Sequence, residues 1–169
     1  MKDVFKEQLI KRPMVFRDHV IFSGSVAAAI FLSYFAFLFM DGFAFMAIGV
    51  MCFILYYVFI MLKKEFEYSF TNGELDIDCI YGQRKRKRKF TCEVRDVGFL
   101  IHSSNATRDN ELSAAEVVLD FGTGTVCEKT WYLLTSYNGR RTKVVFEPNE
   151  AMLAAFKGFI SPRKVFGKI

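Results

Sequence analysis

Charge is almost missing from one long stretch of this sequence. The 43 residues from Val20 to Leu62 contain one charged side chain, Asp41, although the chain of 169 residues has 23 Lys and Arg and 18 Asp and Glu. There are only two His, and none of the four Cys lies in a C-x-x-C pair. These absences exclude a simple soluble enzyme and a small disulfide scaffold, and they argue against a zinc or redox site.

The uncharged stretch predicts two membrane-spanning helices. Residues 20–40 and 43–62 are each long enough to cross the roughly 30 Å hydrocarbon layer, and one helix through both would be too long. We therefore expect a hairpin over residues 20–62 that turns at 41–42. Bases flank it on both sides and none lies at the turn, so the positive-inside rule places both termini in the cytoplasm. The expected location is the cell membrane, with more than one pass.

Small residues predict how the two helices pack. Gly24 and Ala28 on the first helix, and Ala44 and Ala47 on the second, lie opposite bulky residues at equal depth. The spacing of Gly24 and Ala28 could instead pair two protomers, so a homo-oligomer is the alternative. Neither span contains Asp, Glu, Lys, Arg or His, which argues against a transporter.

Residues 1–19 form a basic leader ahead of the first span. Phe5, Leu9 and Ile10 fall at helical spacing with lysines between them, which is typical of a short helix lying on the inner membrane surface. A frayed basic segment is the alternative.

After residue 63 the apolar residues alternate, as in half-buried strands. Asn72-Gly73 joins strands 66–70 and 75–79, and Asn138-Gly139 joins a hairpin that pairs Trp131 with Phe146 and Leu133 with Val144. Further strands are expected at 86–94, 97–101 and 116–121. Asn149 begins a final helix. The cytoplasmic domain then spans residues 63–161, followed by a basic tail at 162–169.

Residues 66–97 read FEYSFTNGELDIDCIYGQRKRKRKFTCEVRDV, and the expected order of elements is seven antiparallel strands before one helix. In both features the chain resembles the bacterial pleckstrin-homology-like proteins with an N-terminal transmembrane hairpin. Among these proteins, the stretch is similar in particular to small membrane proteins of Firmicutes. The resemblance implies a membrane α-helical hairpin plus an α+β, mainly β domain, in which a helix caps a bent seven-stranded antiparallel sheet. It also implies binding to partners or lipids, and it supplies no catalytic residues.

Six successive bases are the candidate contact surface. Residues 63–169 contain 18 bases and 14 acids, so without this run the acids would be in excess. The positive charge is therefore local, and nucleic-acid binding is not expected. The interpretations are a solvated rim, contact with anionic lipid headgroups, or contact with a macromolecular partner. The residues are Arg84, Lys85, Arg86, Lys87, Arg88 and Lys89.

The remaining motifs give little support to catalysis. His102 begins a polar loop with Ser103 and Ser104 but has no second His nearby in the sequence, and the Gly122-Thr123-Gly124 segment lacks the Gly-Lys-Ser/Thr of a phosphate loop. No metal site and no cofactor are expected. We expect a non-enzymatic, membrane-tethered binding module or scaffold with an unidentified protein partner. The alternative is a small inner-leaflet enzyme, or an accessory subunit of an envelope complex, that uses residues 102–105.

Overall fold

The structure, a computed structural model, describes residues 4–39, 41–105 and 109–167. The chain forms two compact units. The hairpin unit contains residues 13–64 and 81–85, and the sheet unit contains residues 1–12, 65–80 and 86–169.

The hairpin unit consists mainly of two long helices. Helix α1 is Phe16–Phe39 and helix α2 is Ala44–Leu62, with a 3₁₀ turn at Asp41–Phe43 between them. Both are long and apolar enough to cross a membrane, and almost none of their residues is buried within the protein. Two such helices joined by a tight turn fit a transmembrane hairpin.

Small residues line the contact between α1 and α2, but not all of those expected. Ala44 is buried and Ala47 is half-buried, and on α1 the buried residue is Ala29. Gly24 and Ala28 are exposed, and a Cβ added at Gly24 would have no neighbour within 4 Å. The intramolecular prediction for these two was wrong because successive residues are turned by about 100°, so Ala29 rather than Ala28 faces α2. Pairing of Gly24 between protomers stays a prediction.

The first sheet contains four strands in the order β1-β2-β3-β4. They are β1, Phe5–Arg12; β2, Lys64–Thr71; β3, Glu74–Tyr81; and β4, Lys85–Glu93. Asn72 and Gly73 join β2 to β3 with φ angles of 49° and 100°, as a type I′ turn requires.

The leader segment is strand β1, so the expected interfacial helix is wrong for residues 5–12. The interior-facing residues Gln8, Ile10 and Arg12 follow strand spacing and are less exposed than their neighbours. Backbone bonding fixes the start of the strand, since Asn72 N–H donates to the Val4 carbonyl oxygen at 3.0 Å. Pairing with a strand more than 50 residues further along the chain overrides the local helical periodicity.

The second sheet contains five strands in the order β6-β8-β7-β5-β9. The register of the β7–β8 hairpin pairs Trp131 with Phe146 and Leu133 with Val144, which confirms the prediction. Strand β6 is parallel to β8, and β9 is parallel to β5. The bounds are β5, Phe99–His102; β6, Val117–Asp120; β7, Trp131–Tyr137; β8, Arg140–Phe146; and β9, Val165–Phe166.

The expected single sheet of seven antiparallel strands is therefore wrong in strand number and direction. The leader adds β1, and residues 165–166 of the expected basic tail add β9. The nearly contiguous segments 86–94 and 97–101 belong to different sheets because a 3₁₀ turn at Val94–Asp96 separates them. A mainly β domain with two sheets, into which two apolar helices are inserted after β1, remains the coarse architecture.

Helix α4, Glu150–Lys157, lies between β8 and β9 in the chain, and α3, Asp109–Ser113, is a short helix between β5 and β6. The Asn149 side chain accepts a hydrogen bond from Met152 N–H at 2.8 Å and so caps α4. Helix α4 buries Phe156, whose ring centroid lies 4.7 Å from that of Phe70. The largest fully buried side chains are Trp131, Tyr68, Phe70, Phe90, Phe146 and Phe156.

Candidate functional site

The six bases lie along the edge of the first sheet. Arg84 ends the turn between β3 and β4, and residues 85–89 form the first half of β4, which is the edge strand. All except Lys89 are exposed. Long basic side chains on an edge strand also discourage unwanted pairing with other strands, which is a purely structural use of the same residues.

Two arginines of the run are held by carboxylates of the neighbouring strands. Arg86 forms an ion pair with Glu67 on β2, and its Nε lies 3.8 Å from Asp78 on β3. Arg88 bonds Asp76 at 3.0 Å and Asp78 at 3.1 Å. Both arginines thus offset the repulsion between these neighbouring acids.

These arginines are needed because the acids are buried. Glu67 is 5% exposed and Asp78 is 8% exposed. Burial, together with a hydrogen bond that the protonated Glu67 carboxyl donates to Glu7, raises the pKa of Glu67 above its usual range, and the Arg86 charge partly opposes that shift. The hydrogen bond to Asp78 raises the pKa of Arg88. Removing Arg86 would take the cation away from the buried Glu67 carboxylate, whereas removing Arg88 would leave Asp78 with the longer contact to Arg86.

The turn that precedes the run packs on the end of α2. Gly82 N–H donates to the Lys63 carbonyl oxygen at 2.9 Å. Gly82 has φ of +55°, and a Cβ there would meet the Ile60 side chain and lie 2.9 Å from the Ile60 carbonyl oxygen. Only glycine fits this close approach. The basic run thus starts beside the last turn of α2.

Two adjacent lysines at the end of α2 have different surroundings. Lys64 Nζ lies 3.5 Å from Asp18, a carboxylate that is 3% exposed near the start of α1. Lys63 is exposed, and its ammonium lies 4.4 Å from the centroid of the Phe59 ring, one turn back along α2. The charge of Lys64 is compensated by a carboxylate, whereas Lys63 has only an aromatic contact among the described residues.

Strand β1 is joined to the second sheet and the loops around it by side-chain hydrogen bonds. Gln8 donates to the Glu147 carbonyl oxygen at 2.9 Å and accepts from Asn149 N–H at 2.6 Å. Arg12 bonds both the carbonyl and the carboxylate of Asp120 at 2.9 Å. Sequence reasoning missed these positions because their partners lie more than 100 residues away.

The Gly122-Thr123-Gly124 segment is a structural connection between β6 and β7. Glu147 is 6% exposed, and its Oε1 accepts hydrogen bonds from both the backbone N–H and the hydroxyl of Thr123 at 2.8 Å. A carboxylate therefore occupies the donors that a phosphate would need.

His102 and Ser104 are brought together by their loop. His102 Nδ1 lies 2.7 Å from Ser104 Oγ, and Nε2 lies 2.7 Å from the Glu128 carbonyl oxygen. Because a carbonyl only accepts, Nε2 carries the proton and Nδ1 accepts from Ser104. His102 also lines an open cleft of about 880 Å³ with Trp131 and the start of α4.

The cysteines give no sign of a reactive or metal-binding site. Burial raises the pKa of the Cys92 thiol to about 12, Cys79 is buried, and Cys52 and Cys127 are exposed. Within residues 4–39, 41–105 and 109–167, no group of three or more His, Cys, Asp or Glu could hold a metal ion.

Two small sheets, a capped helix and an apolar helical hairpin define a PH-like protein with a candidate membrane anchor. Residues 2–167 match the family described as "Bacterial PH-like domain (DUF6106)", and the chain belongs to this family. The match covers the leader and the hairpin as well as the sheets, and it confirms the family expected from the sequence. No curated protein and no solved structure gives a significant match. PH-like domains are in general non-catalytic binding modules.

Proposed function

We propose that this protein is a non-enzymatic, membrane-tethered binding module. Its hairpin spans the cell membrane, both ends of the hairpin are cytoplasmic, and the PH-like domain meets its protein partners and anionic lipid at the inner face. The observation that carries the proposal is the position of the hairpin in the chain. It lies between β1 and β2, which are neighbours in one sheet.

Paired strands must lie on the same side of a membrane. The segment between β1 and β2 therefore crosses it an even number of times, and two apolar helices supply two crossings. The bases that flank the hairpin favour the cytoplasmic side for the sheets. The bond between Gly82 and Lys63 supports lipid contact, because it starts the basic run where α2 would leave the hydrocarbon layer.

Cysteine labelling tests the topology. Gly42→Cys adds a thiol at the helical turn, where a new Cβ has no neighbour within 4 Å, and Ser136→Cys adds one at an exposed position of β7. The four native cysteines are replaced first. An impermeant thiol reagent should label residue 42 on intact cells, and residue 136 only after the cells are permeabilised. Labelling of residue 136 on intact cells would contradict the proposal.

The second candidate function is an inner-leaflet enzyme that uses residues 102–105. The hydrogen bond between Ser104 and His102 favours it. The second nitrogen of His102, however, bonds the Glu128 carbonyl oxygen, where catalytic Ser-His pairs commonly have a carboxylate. A fluorophosphonate probe that reacts with activated serines distinguishes the two candidates. The binding module should stay unlabelled, and labelling that disappears in Ser104→Ala would favour the enzyme.

A further inference from the structure

Three bases of the hairpin unit differ in their partners from two arginines of the sheet unit. Lys63, Arg84 and Lys85 are exposed, and among the described residues no carboxylate lies within ion-pair distance of them. Arg86 and Arg88 instead bond three carboxylates of the first sheet. The run of six bases is therefore not one uniform surface.

One hydrogen bond places the three unpaired bases near each other. Lys63 and Gly82 are joined by their backbones, and Arg84 N–H closes the same turn by donating to the Tyr81 carbonyl oxygen at 3.1 Å. Arg84 and Lys85 thus follow the bonded glycine by two and three residues. The Lys63 ammonium lies 4.4 Å from the Phe59 ring centroid, so the aliphatic stem of Lys63 covers apolar surface at the end of α2.

The ligand that suits these groups is the phosphate of a phospholipid. Lysine ammonium groups act as point charges toward phosphate, and Arg84 adds a planar donor group. The end of a spanning helix lies at headgroup level, where lipid phosphates are concentrated. Recognition by these three bases depends on charge and depth rather than on the headgroup alcohol.

We propose that Lys63, Arg84 and Lys85 form a binding site for the phosphate of an anionic phospholipid at the end of α2. The site rests on the proposed function in one respect, since it requires the hairpin to span. Arg86 and Arg88 are not part of it, because their charge is used within the first sheet.

Native mass spectrometry of the full chain in mild detergent tests the site. Phosphatidylglycerol is titrated as the anionic lipid, phosphatidylcholine as the neutral lipid and glycerol 3-phosphate as a soluble phosphate. The chain should bind the anionic lipid and neither of the others. The triple variant K63Q/R84Q/K85Q should bind it on the order of 100-fold more weakly, because each base near anionic lipid contributes about fivefold. Binding of glycerol 3-phosphate with equal affinity would overturn the lipid assignment.

A matched variant removes three charges elsewhere. Lys129, Arg140 and Arg141 are exposed in the sheet unit, and K129Q/R140Q/R141Q lowers the net charge by the same amount. It should bind within about twofold of the unaltered chain. Equal losses in the two triple variants, or no loss in K63Q/R84Q/K85Q, would overturn the site. The labelling of residues 42 and 136 tells failure of the lipid site from failure of the proposed function. If residue 42 alone is labelled on intact cells but the chain shows no lipid preference, only the site is ruled out. If residue 136 is labelled on intact cells, the proposed function is ruled out.

Discussion

Aromatic side chains occupy opposite environments in the two units. In the sheet unit Phe70, Phe90 and Phe146 are each 0% exposed, whereas in the hairpin unit Phe45 is 81% exposed and Phe37 is 66% exposed. Water would penalise the second arrangement by roughly 25 cal/mol for every Å² of exposed apolar surface. The same residue type therefore stabilises one unit by burial and is suited to lipid in the other.

Truncating a core phenylalanine should give the largest loss of stability, and it tests the contrast between the sheet unit and the hairpin unit. Phe146→Ala is expected to lower the free energy of unfolding of the sheet unit by about 3–5 kcal/mol, because it opens a cavity beside Tyr68 and Phe156. Urea unfolding of the full chain in detergent, followed by the fluorescence of the single Trp131, measures it. The control is Phe45→Ala, which should change the value by less than about 0.5 kcal/mol. Equal effects would remove the distinction between the units.

Variants of two adjacent bases test whether strand β1 stabilises the sheet unit. Arg12→Gln should cost about 1–3 kcal/mol, since the Asp120 carboxylate and carbonyl lose a charged donor. The neighbouring Lys11 is exposed, and Lys11→Gln should lie within about 0.5 kcal/mol of the unaltered chain. The same Trp131 signal reports both. If both variants unfold like the unaltered chain, β1 does not stabilise the sheet unit.

Alkaline pH should weaken the sheet unit. The thiol of Cys92 has its pKa raised from 9.0 to about 12 by burial, and burial also raises the pKa of the Tyr68 hydroxyl. The unfolded chain therefore loses these protons first, so stability is fully present below about pH 9 and is lost as the pH rises toward 12. The slope for Cys92 is about 1.4 kcal/mol per pH unit. Cys92→Ala should reduce the slope of stability against pH from 9 to 11, and an unchanged slope would contradict the shift.

The smallest expected effect is the difference in stability between an arginine variant and a lysine variant of β4. Arg88→Gln should cost about 0.5–1.5 kcal/mol, because Asp76 and Asp78 lose their hydrogen bonds to it. Lys87→Gln removes the same charge from an exposed position and should cost almost nothing. Thermal unfolding of the two variants at low salt provides the comparison. Equal melting temperatures would mean that the arginines are as dispensable as the lysines.

Local signals in the sequence predicted the parts of the fold that depend on neighbouring residues. Asn138 and Gly139 were enough to give the β7–β8 register, and Asn149 marked the start of α4. Strand β1 could not be predicted in this way, because Gln8 and Arg12 acquire their strand environment from residues more than 100 positions away. Local periodicity alone favoured a helix there.

The sequence contains a signal, overlooked at first, that the six bases do not all have the same surroundings. Arg and Lys alternate from Arg84 to Lys89, and on a strand alternate residues point to opposite faces. The pattern itself thus places Arg86 and Arg88 on one face, where Asp76 and Asp78 also lie. The sequence alone could not place Lys63 beside Arg84 and Lys85, because only the hydrogen bond between Gly82 and Lys63 brings them together.

The insertion of the hairpin between β1 and β2 also imposes an order on biosynthesis. A ribosome completes β1 before either helix, yet the Asn72 N–H that bonds Val4 is translated 68 residues later, and the Glu147 carbonyl that receives the Gln8 side chain follows Gln8 by 139 residues. Throughout that interval the nascent β1 has no strand to pair with. If the hairpin spans the membrane as proposed, both helices would reach the translocation machinery before the first sheet closes, and folding of that sheet would follow insertion.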